Sequence, residues 1–327
     1  NWQMWHNSGL AALGIALEND SIVNVAINKD KYGYHYLIEK HKNNDGWINE
    51  GSPHYHYYPL EALLFTANAV KCRGIKLFDK DLHDMFVEPV KGTYPDLSFP
   101  AHSDGWYGAN LLSQSALYEV ANARYNDPFL KRVLELTYAQ KKRLDSEALL
   151  SNQLIKASGE SLLQQSYSFD TSGFCLLRSD ARTVVLKFGG EGIGHGHPDK
   201  LSITIHDGKN ELVSDFGTSG YGVPDYLKWY KRTLSHNTVT VDAKDQKRSV
   251  GKLLKFNPRS DGGYAEAETT TAYPGVRMKR SLDLKGTHLQ DVYTCTSDSS
   301  HLYEYVILFN EKPIMDGQPT ATTLTGS

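Results

Sequence analysis

The sequence predicts an α+β protein of two domains, with helices in the first part and antiparallel strands in the second. The chain has 327 residues, which fits two domains of roughly 100–200 residues each better than one core. Apolar residues recur at helical spacing over the first 150 residues or so. From Tyr167 onward, short alternating runs are separated by Gly, Asp and Asn, which is typical of strands in an antiparallel β-sandwich. We therefore predict a helical domain over 1–157 and a sandwich over 158–327.

Four segments carry the helical prediction. Apolar spacing predicts helices over 8–17, 111–124 and 128–142, and the run that starts at Pro59 predicts another, since Pro is favoured in a first turn. Helix pairs joined by aromatic-rich loops are compatible with an α/α toroid or with a bundle, and the pattern alone does not choose between them. In the second part, the strand prediction rests on the runs 173–178, 183–188, 201–206, 238–242 and 302–310.

Charge and composition limit the partners. A formal net charge of −3 gives no basic field, so nucleic acid is a poor candidate, and a polyanionic glycan would need a local basic cleft. Twenty Tyr and five Trp suit sugar stacking, although such rings also fill sheets and domain seams. No apolar run is long enough to predict a membrane span. The three cysteines are far apart and odd in number, which argues against a disulfide framework.

The first candidate cluster covers residues 49–58, where five of ten residues are His or Tyr. Gly51 and Pro53 predict a loop that aims these side chains at a specific place, just before the helix expected from Pro59. The same aromatic residues could instead form a wedge that packs between helices.

The second cluster is the glycine-rich segment 192–199. Glycines beside a histidine let the backbone approach a ligand closely. If the segment is extended, His195 and His197 lie on the same face and either share a ligand or divide two roles.

A third group brings in Asp215 and His236, which with His197 make a set of two histidines and one carboxylate. Such ligands suit zinc with water in the fourth position, but only the fold could bring residues this far apart together. Between them, Lys228, Lys231 and Arg232 could recognise sulfate or could belong to a solvated loop. The sequence contains no Gly-x-Ser-x-Gly elbow, Walker loop or His-Glu-x-x-His motif.

These clusters, in this order, resemble the heparinase II/III-like polysaccharide lyases, which include oligoalginate lyases. The resemblance covers nearly the whole chain, and it rests on five motifs in register. They are the helix at Asn1-Trp2-Gln3-Met4-Trp5, the tyrosine segment 50–58, the strand 169–178, the His-x-His-x-Asp segment 195–199 and the His-Asn-Thr strand 234–242.

The resemblance implies the C-terminal part of an (α/α) toroid followed by the sandwich, with a catalytic cleft between the domains. It implies catalytic roles for Tyr55, His195 and Asn1, and a structural rather than catalytic zinc held by His197, Asp215 and His236. The residues it suggests for substrate binding are His54, Glu50, His6, Tyr57 and Arg232. Because the chain begins inside an apparent helix, we interpret it as a fragment or processed chain, so the lack of a signal peptide says nothing about export.

The function that the resemblance implies is β-elimination on a glycan that contains uronic acid, outside the cytoplasm in the periplasm or the medium. Tyr55 would protonate the leaving oxygen, since a tyrosine with a pKa near 10 is a competent acid at neutral pH. Asn1 and His195 would neutralise the uronate carboxylate, while either Tyr55 or His195 could be the base. We expect heparin or heparan sulfate as substrate. Alginate, a non-catalytic glycan-binding role and a zinc hydrolase are the alternatives.

Overall fold

The computed structural model describes residues 2–151, 153–158, 162, 165–190 and 193–316. It has the α+β composition that the sequence predicts, with helices and antiparallel sheets. The chain divides into two compact units, one helical and one β-rich. The helical unit takes most of the chain up to residue 163, and the β unit takes the remainder together with Tyr94–Asp96 and Pro100–Gly108. These two short segments matter because the second contributes to the candidate site.

The helical unit contains all four helices that the sequence predicts, although one of them opens with a 3-10 turn at Leu111–Gln114 and another begins before Pro59. Further helices lie where no prediction was made, such as Lys80–Val87. None of the described helices is long and apolar enough to cross a membrane. The helices are α1 Trp2–Ala16, α2 Asp20–Asn28, α3 Tyr34–His41, α4 Pro53–Val70, α5 Lys80–Val87, α6 Ser115–Tyr125, α7 Pro128–Gln140 and α8 Ser146–Ser151.

Helix α4 corrects the prediction of a loop before Pro59. The helix begins at Pro53, and Pro59 lies inside it. Ser52 explains the earlier start, because its side chain accepts a hydrogen bond from the backbone N–H of Tyr55 at 3.4 Å. Pro53 then occupies the first helical position, where its missing N–H costs nothing. Tyr55 is therefore in the first turn of a helix and not in a loop.

The β unit consists of antiparallel sheets. A five-stranded sheet runs in the order β1-β2-β3-β4-β5, a four-stranded sheet in the order β10-β9-β8-β7, and β6 pairs with β11. The strands are β1 Tyr167–Phe169, β2 Phe174–Arg178, β3 Thr183–Lys187, β4 Ser202–His206, β5 Glu211–Val213, β6 Val239–Val241, β7 Lys252–Arg259, β8 Gly262–Tyr273, β9 Val276–Lys285, β10 His288–Ser297 and β11 Tyr303–Tyr305.

One hydrophobic core joins the two larger sheets. Leu177 and Val184 from the first sheet and Ala265 and Met278 from the second belong to the same buried cluster. This arrangement of two facing antiparallel sheets is a sandwich, as the alternating runs predict. The strand expected over 302–310 is shorter than predicted and covers only Tyr303–Tyr305. The four long strands between residues 252 and 297 were not among the predicted runs.

Candidate functional site

A buried carboxylate, Asp104, organises the histidine segment of the β unit. Its Oδ2 accepts a hydrogen bond from Nδ1 of His195 at 2.9 Å, and its Oδ1 accepts one from Nε2 of His197, also at 2.9 Å. An ionised carboxylate can only accept, so the proton on each ring sits on the nitrogen that faces Asp104. The two histidines therefore share one partner, as their spacing allowed, although residues 193–195 form a turn and not an extended strand.

Two tyrosines complete this array. The hydroxyls of Tyr221 and Tyr226 each donate to Oδ2 of Asp104 at 3.0 Å, and the Tyr221 hydroxyl is also 2.8 Å from Nδ1 of His195. Tyr226 lies in a short π-helical turn, a rare geometry that is frequent at functional sites. Burial alone would raise the pKa of Asp104, but the bonds from His195 and His197 hold it well below its usual range. Asp104 is therefore a carboxylate at neutral pH.

Close backbone packing holds Asp104 against the histidine segment. The backbone N–H of Asp104 donates to the carbonyl of His195 at 3.1 Å. On the other side, Thr218 N–H donates to the Gly105 carbonyl at 3.0 Å, and a Cβ added to Gly217 would lie only 1.9 Å from that oxygen. Gly217 also has a φ of +59°, which favours glycine. These contacts fix the carboxylate in place before any ligand binds.

The predicted metal residues lie beside this array. Nδ1 of His236 is 2.9 Å from Oδ2 of Asp215, and the rings of His197 and His236 are 5.3 Å apart between centroids. Nδ1 of His197 and Nε2 of His236 are both buried, and neither has a hydrogen-bond partner among the described residues. Burial lowers the pKa of His197 despite the opposing bond to Asp104, which favours the neutral ring. Each ring thus has one further buried nitrogen, and nitrogen donors of this kind fit zinc.

Among the described residues, the structure groups Asp199 rather than His197 with Asp215 and His236, with all ligand atoms within 4.8 Å of one another. Both oxygens of Asp199 already have cationic partners, however. Lys187 bonds one oxygen, and Lys200 lies 2.9 Å from the other. Two ammonium groups compete directly with a metal ion for this carboxylate. His197, with its unpartnered nitrogen, stays the predicted third ligand.

The residues expected from the tyrosine segment have contrasting environments. Tyr55 is half-buried, and His54 and His6 are exposed. Tyr57 is buried, and its hydroxyl is 3.1 Å from that of Tyr118, which favours a packing role over sugar binding. Glu50 is also buried, whereas Asn1 lies outside the described residues. The roles of these side chains in catalysis and binding stay predictions.

Arg232, expected to bind substrate, already has a carboxylate partner. Its Nε is 2.5 Å from Oδ2 of Asp245. Sequence reasoning missed Asp104, Tyr221 and Tyr226, which lie in segments where no motif was recognised. The only available signal was composition, since Asp104 opens the aromatic run Asp-Gly-Trp-Tyr and Tyr221 and Tyr226 lie in the aromatic segment before His236.

Comparison with known proteins places the β unit in a family. Residues 162–313 match the family described as Heparinase II/III-like, C-terminal. The resemblance to heparinase II/III-like proteins is thereby confirmed, and the chain carries a domain of this family over those residues.

Characterised relatives extend the match over most of the chain. It is 26% identical to an alginate lyase of Stenotrophomonas maltophilia, over 97% of this chain and 48% of the relative. It is 24% identical to an exo-oligoalginate lyase of Saccharophagus degradans, over 95% of this chain and 48% of that protein. A heparin-sulfate lyase of Bacteroides stercoris is 28% identical over 73% of this chain and 35% of its own length. The chain thus spans about half the length of the first two relatives.

Solved structures agree on the fold. A heparinase III gene product matches with a TM-score of 0.75 at 18% identity, over 96% of this chain and 48% of that one. A heparan sulfate lyase from Pedobacter heparinus matches with a TM-score of 0.66 at 18% identity, over 85% and 43% of the two chains. At this identity the likeness establishes a shared fold, and the substrate must be argued from the site.

Proposed function

We propose that this protein is a polysaccharide lyase that cleaves glycans containing uronic acid by β-elimination and leaves an unsaturated uronate. The observation that carries the proposal is the array of His195, Asp104 and Tyr221, in which a partly exposed imidazole is held by a buried carboxylate. The lyase relatives supply the reaction class. An enzyme for such polymers works where they occur, so we include a periplasmic or secreted location in the proposal.

The chemistry sets what the residues must do. The C5 proton of a uronate is weakly acidic while its carboxylate stays charged, so the site must neutralise that charge as the proton leaves. Asp104 holds the proton of His195 on Nδ1, which makes Nε2 the ring atom for substrate. A charged ring would neutralise the uronate carboxylate, together with the amide of Asn1. A neutral ring would remove the C5 proton from the opposite face.

In this scheme Tyr55 donates a proton to the oxygen that leaves C4, and an ionised Tyr55 could also take the C5 proton on the same face. Asp104 acts through His195 and is a positioning residue. His54, Glu50, His6 and Arg232 are proposed to contact the sugar residues around the cleaved bond, whereas Tyr57 is assigned to packing because its hydroxyl is paired with that of Tyr118.

A structural zinc ion belongs to the proposal. His197, Asp215 and His236 would hold it, and the ion would cross-link the segments that carry these ligands.

Equilibrium dialysis against zinc, followed by metal analysis, should find a single ion per chain. Thermal unfolding of the zinc-loaded chain should show a raised melting temperature. His197→Ala and His236→Ala should lose both effects. His301→Ala is the control, because His301 has a similar contact to Asp242 at 2.9 Å. Equal zinc binding by all the variants would contradict the assignment.

For the substrate, we favour heparin or heparan sulfate because Lys and Arg side chains follow the π-helical turn and can recognise sulfate. Alginate is the second candidate, because the two relatives that match most of the chain are described as alginate and oligoalginate lyases. The test is ultraviolet absorbance of the conjugated C4–C5 double bond, measured with heparin, heparan sulfate, chondroitin sulfate and alginate. Binding of a glycan with no gain in absorbance would favour a non-catalytic binding protein.

Two neighbouring tyrosines provide a matched test of the acid. Tyr55→Phe should reduce elimination to background without loss of folding, because only the hydroxyl is removed. Tyr57→Phe removes the buried bond to Tyr118 and should lower the free energy of unfolding by about 1 kcal/mol while elimination persists. Turnover of Tyr55→Phe at the wild-type rate would end the role assigned to Tyr55.

A further inference from the structure

A cavity of about 380 Å³ lies in the β unit directly beside the histidine segment. Residues 194–198 contribute one part of its wall, and residues 245–249 contribute another, together with Lys200 and Lys231. Pockets of this size take small molecules or single sugar residues. Because Gly194 and Gly196 flank His195, whatever enters the cavity comes close to the proposed reaction centre.

The charges on the cavity wall are mostly positive. Lys200, Lys231 and Arg248 are cationic, whereas Asp245 is the carboxylate among the residues that line the cavity. Asp245 is already occupied, because Arg232 bonds one oxygen at 2.5 Å and the Thr233 N–H bonds the other at 2.8 Å. Lys200 and Lys231 also have carboxylate partners, Asp199 at 2.9 Å and Asp104 at 3.7 Å, but neither partner lines the cavity. The wall itself is therefore basic in a chain whose net charge is −3.

The cations differ in how they are held. Lys200 is buried against Asp199, and its backbone is fixed on both sides by the Gln246 amide, at 2.8 and 3.0 Å. Lys231 is partly exposed and lies 3.3 Å from the Gly194 carbonyl. Arg248 is exposed. Lys200 is thus a fixed part of the cavity wall, whereas Lys231 and Arg248 are accessible to a ligand.

A buried hydroxyl points to a ligand independently of charge. Ser249 is only 4% exposed, and its Oγ has no hydrogen-bond partner among the described residues. A buried polar atom without a partner costs free energy. Since Ser249 lines the cavity, an oxygen of a bound ligand would supply the partner that the protein itself does not.

We infer that this cavity is an anion subsite, which binds the sulfate or carboxylate of the sugar residue next to the one at His195. The inference rests on the proposed function, and it assigns to Arg248, Lys231 and Ser249 the recognition of a charged oxygen group. Sulfate and carboxylate both present such oxygens, and cationic side chains with a hydroxyl donor suit either.

The test is direct binding, measured by titration calorimetry at low and high salt. Three oligosaccharides of matched length serve as probes: a sulfated heparin fragment, an unsulfated heparosan fragment and an oligomannuronate. Arg248→Gln should weaken binding of the preferred probe about tenfold, the loss expected for one charge-assisted contact, and less at high salt. Arg248→Lys keeps the charge and should retain most of the affinity. Lys285→Gln, an exposed change at the end of β9, is the charge-matched control.

Ser249→Ala separates binding from stability. Losing the hydroxyl should weaken binding several-fold, yet leave the melting temperature unchanged or higher, because an unpartnered buried group is removed. A structural hydroxyl would give the opposite pattern, with lower stability and normal affinity, and that result would overturn its assignment to the subsite.

The remaining outcomes are also decisive. A loss by Arg248→Gln confined to the heparin fragment assigns sulfate, and an equal loss for all three probes assigns carboxylate. Wild-type affinity in Arg248→Gln, or an equal loss in Lys285→Gln, overturns the subsite. Binding needs no turnover, so a chain that shows this pattern without cleaving any glycan would refute the lyase proposal and leave the subsite standing.

Discussion

Two histidine pairs in this chain have the same spacing in sequence, but one pair points to opposite sides of a helix and the other shares a single carboxylate. His54 and His56 flank Tyr55 in α4, and His195 and His197 flank Gly196 in the β unit. Residues two apart in a helix point to nearly opposite sides, so His54 is exposed while His56 is fully buried. In the glycine-rich turn, by contrast, both side chains reach the same carboxylate.

The partners differ as much as the positions. His56 accepts a hydrogen bond from Ile48 N–H at 3.1 Å and donates to the Met85 carbonyl at 2.9 Å, so both ring nitrogens are used by the backbone. His197 uses one nitrogen for Asp104 and leaves the other buried without a partner among the described residues. A ring bonded at both ends holds the fold together. A ring with a spare lone pair is available for chemistry.

Removing the shared carboxylate should have the largest effect. In Asp104→Asn, an amide replaces the acceptor that both His195 and His197 require, and the imidazoles lose their fixed orientation. We expect the elimination rate to fall by about 100-fold, the scale of loss that misplaced catalytic groups cause. The KM should change much less, because Asp104 acts through His195. The measurement is steady-state kinetics on the glycan that the absorbance screen identifies.

Asp242→Asn is the matched control, because it removes the acceptor of another Asp–His contact in the β unit, that to His301. Its elimination rate should stay near that of the wild type. Similar losses of rate in the two variants would mean that Asp104 is a structural residue, and the contrast between the histidine pairs would then disappear.

The second prediction concerns stability in the helical unit. His56→Leu leaves the Ile48 N–H and the Met85 carbonyl buried without their partner, and should lower the free energy of unfolding by about 2–3 kcal/mol. His54→Leu, two residues away and exposed, should change it by about 0.5 kcal/mol or less. Chemical denaturation of both variants checks this, and equal effects would contradict the packing role of His56.

Local pattern predicted those parts of the fold that have a single clear periodicity. Residues 174–178 and 183–187 are strands as expected, because buried apolar residues fill both faces between turn signals. The strand at 288–297 alternates partly buried and exposed residues, but Asp291 and Ser297 interrupt its partly buried face and Val292 lies on the exposed one, so its apolar periodicity is weak. The start of α4 was missed because Ser52-Pro53 and Pro59 are both good start signals, and the Ser52 cap decided between them.

The candidate site was also predictable only in part. His195 and His197 were recognisable because neighbouring glycines set them apart in one short segment. Asp104 was not recognisable, because it is 91 residues from His195 in sequence and has no motif of its own. What makes it part of the site is a backbone contact between distant loops, at Gly105 and Thr218, which only tertiary structure provides.

The smallest predicted effect is the dependence of folding stability on pH that comes from His56. Burial lowers the pKa of His56 from 6.5 to about 4. Between these values the unfolded chain binds a proton that the folded chain excludes, so folding stability is fully present above about pH 6.5 and is lost as the pH falls towards 4. This one group should contribute a slope of about 1.4 kcal/mol per pH unit in that window.

The test must separate His56 from His102 in the β unit, which is buried with a pKa of about 4 and adds a similar slope to the wild-type curve. The difference in unfolding free energy between the wild type and His56→Leu isolates His56, because only that residue changes. The penalty of His56→Leu should therefore shrink as the pH is lowered from 7 to 5. A penalty that stays constant over this range would show that His56 is not buried in its neutral form.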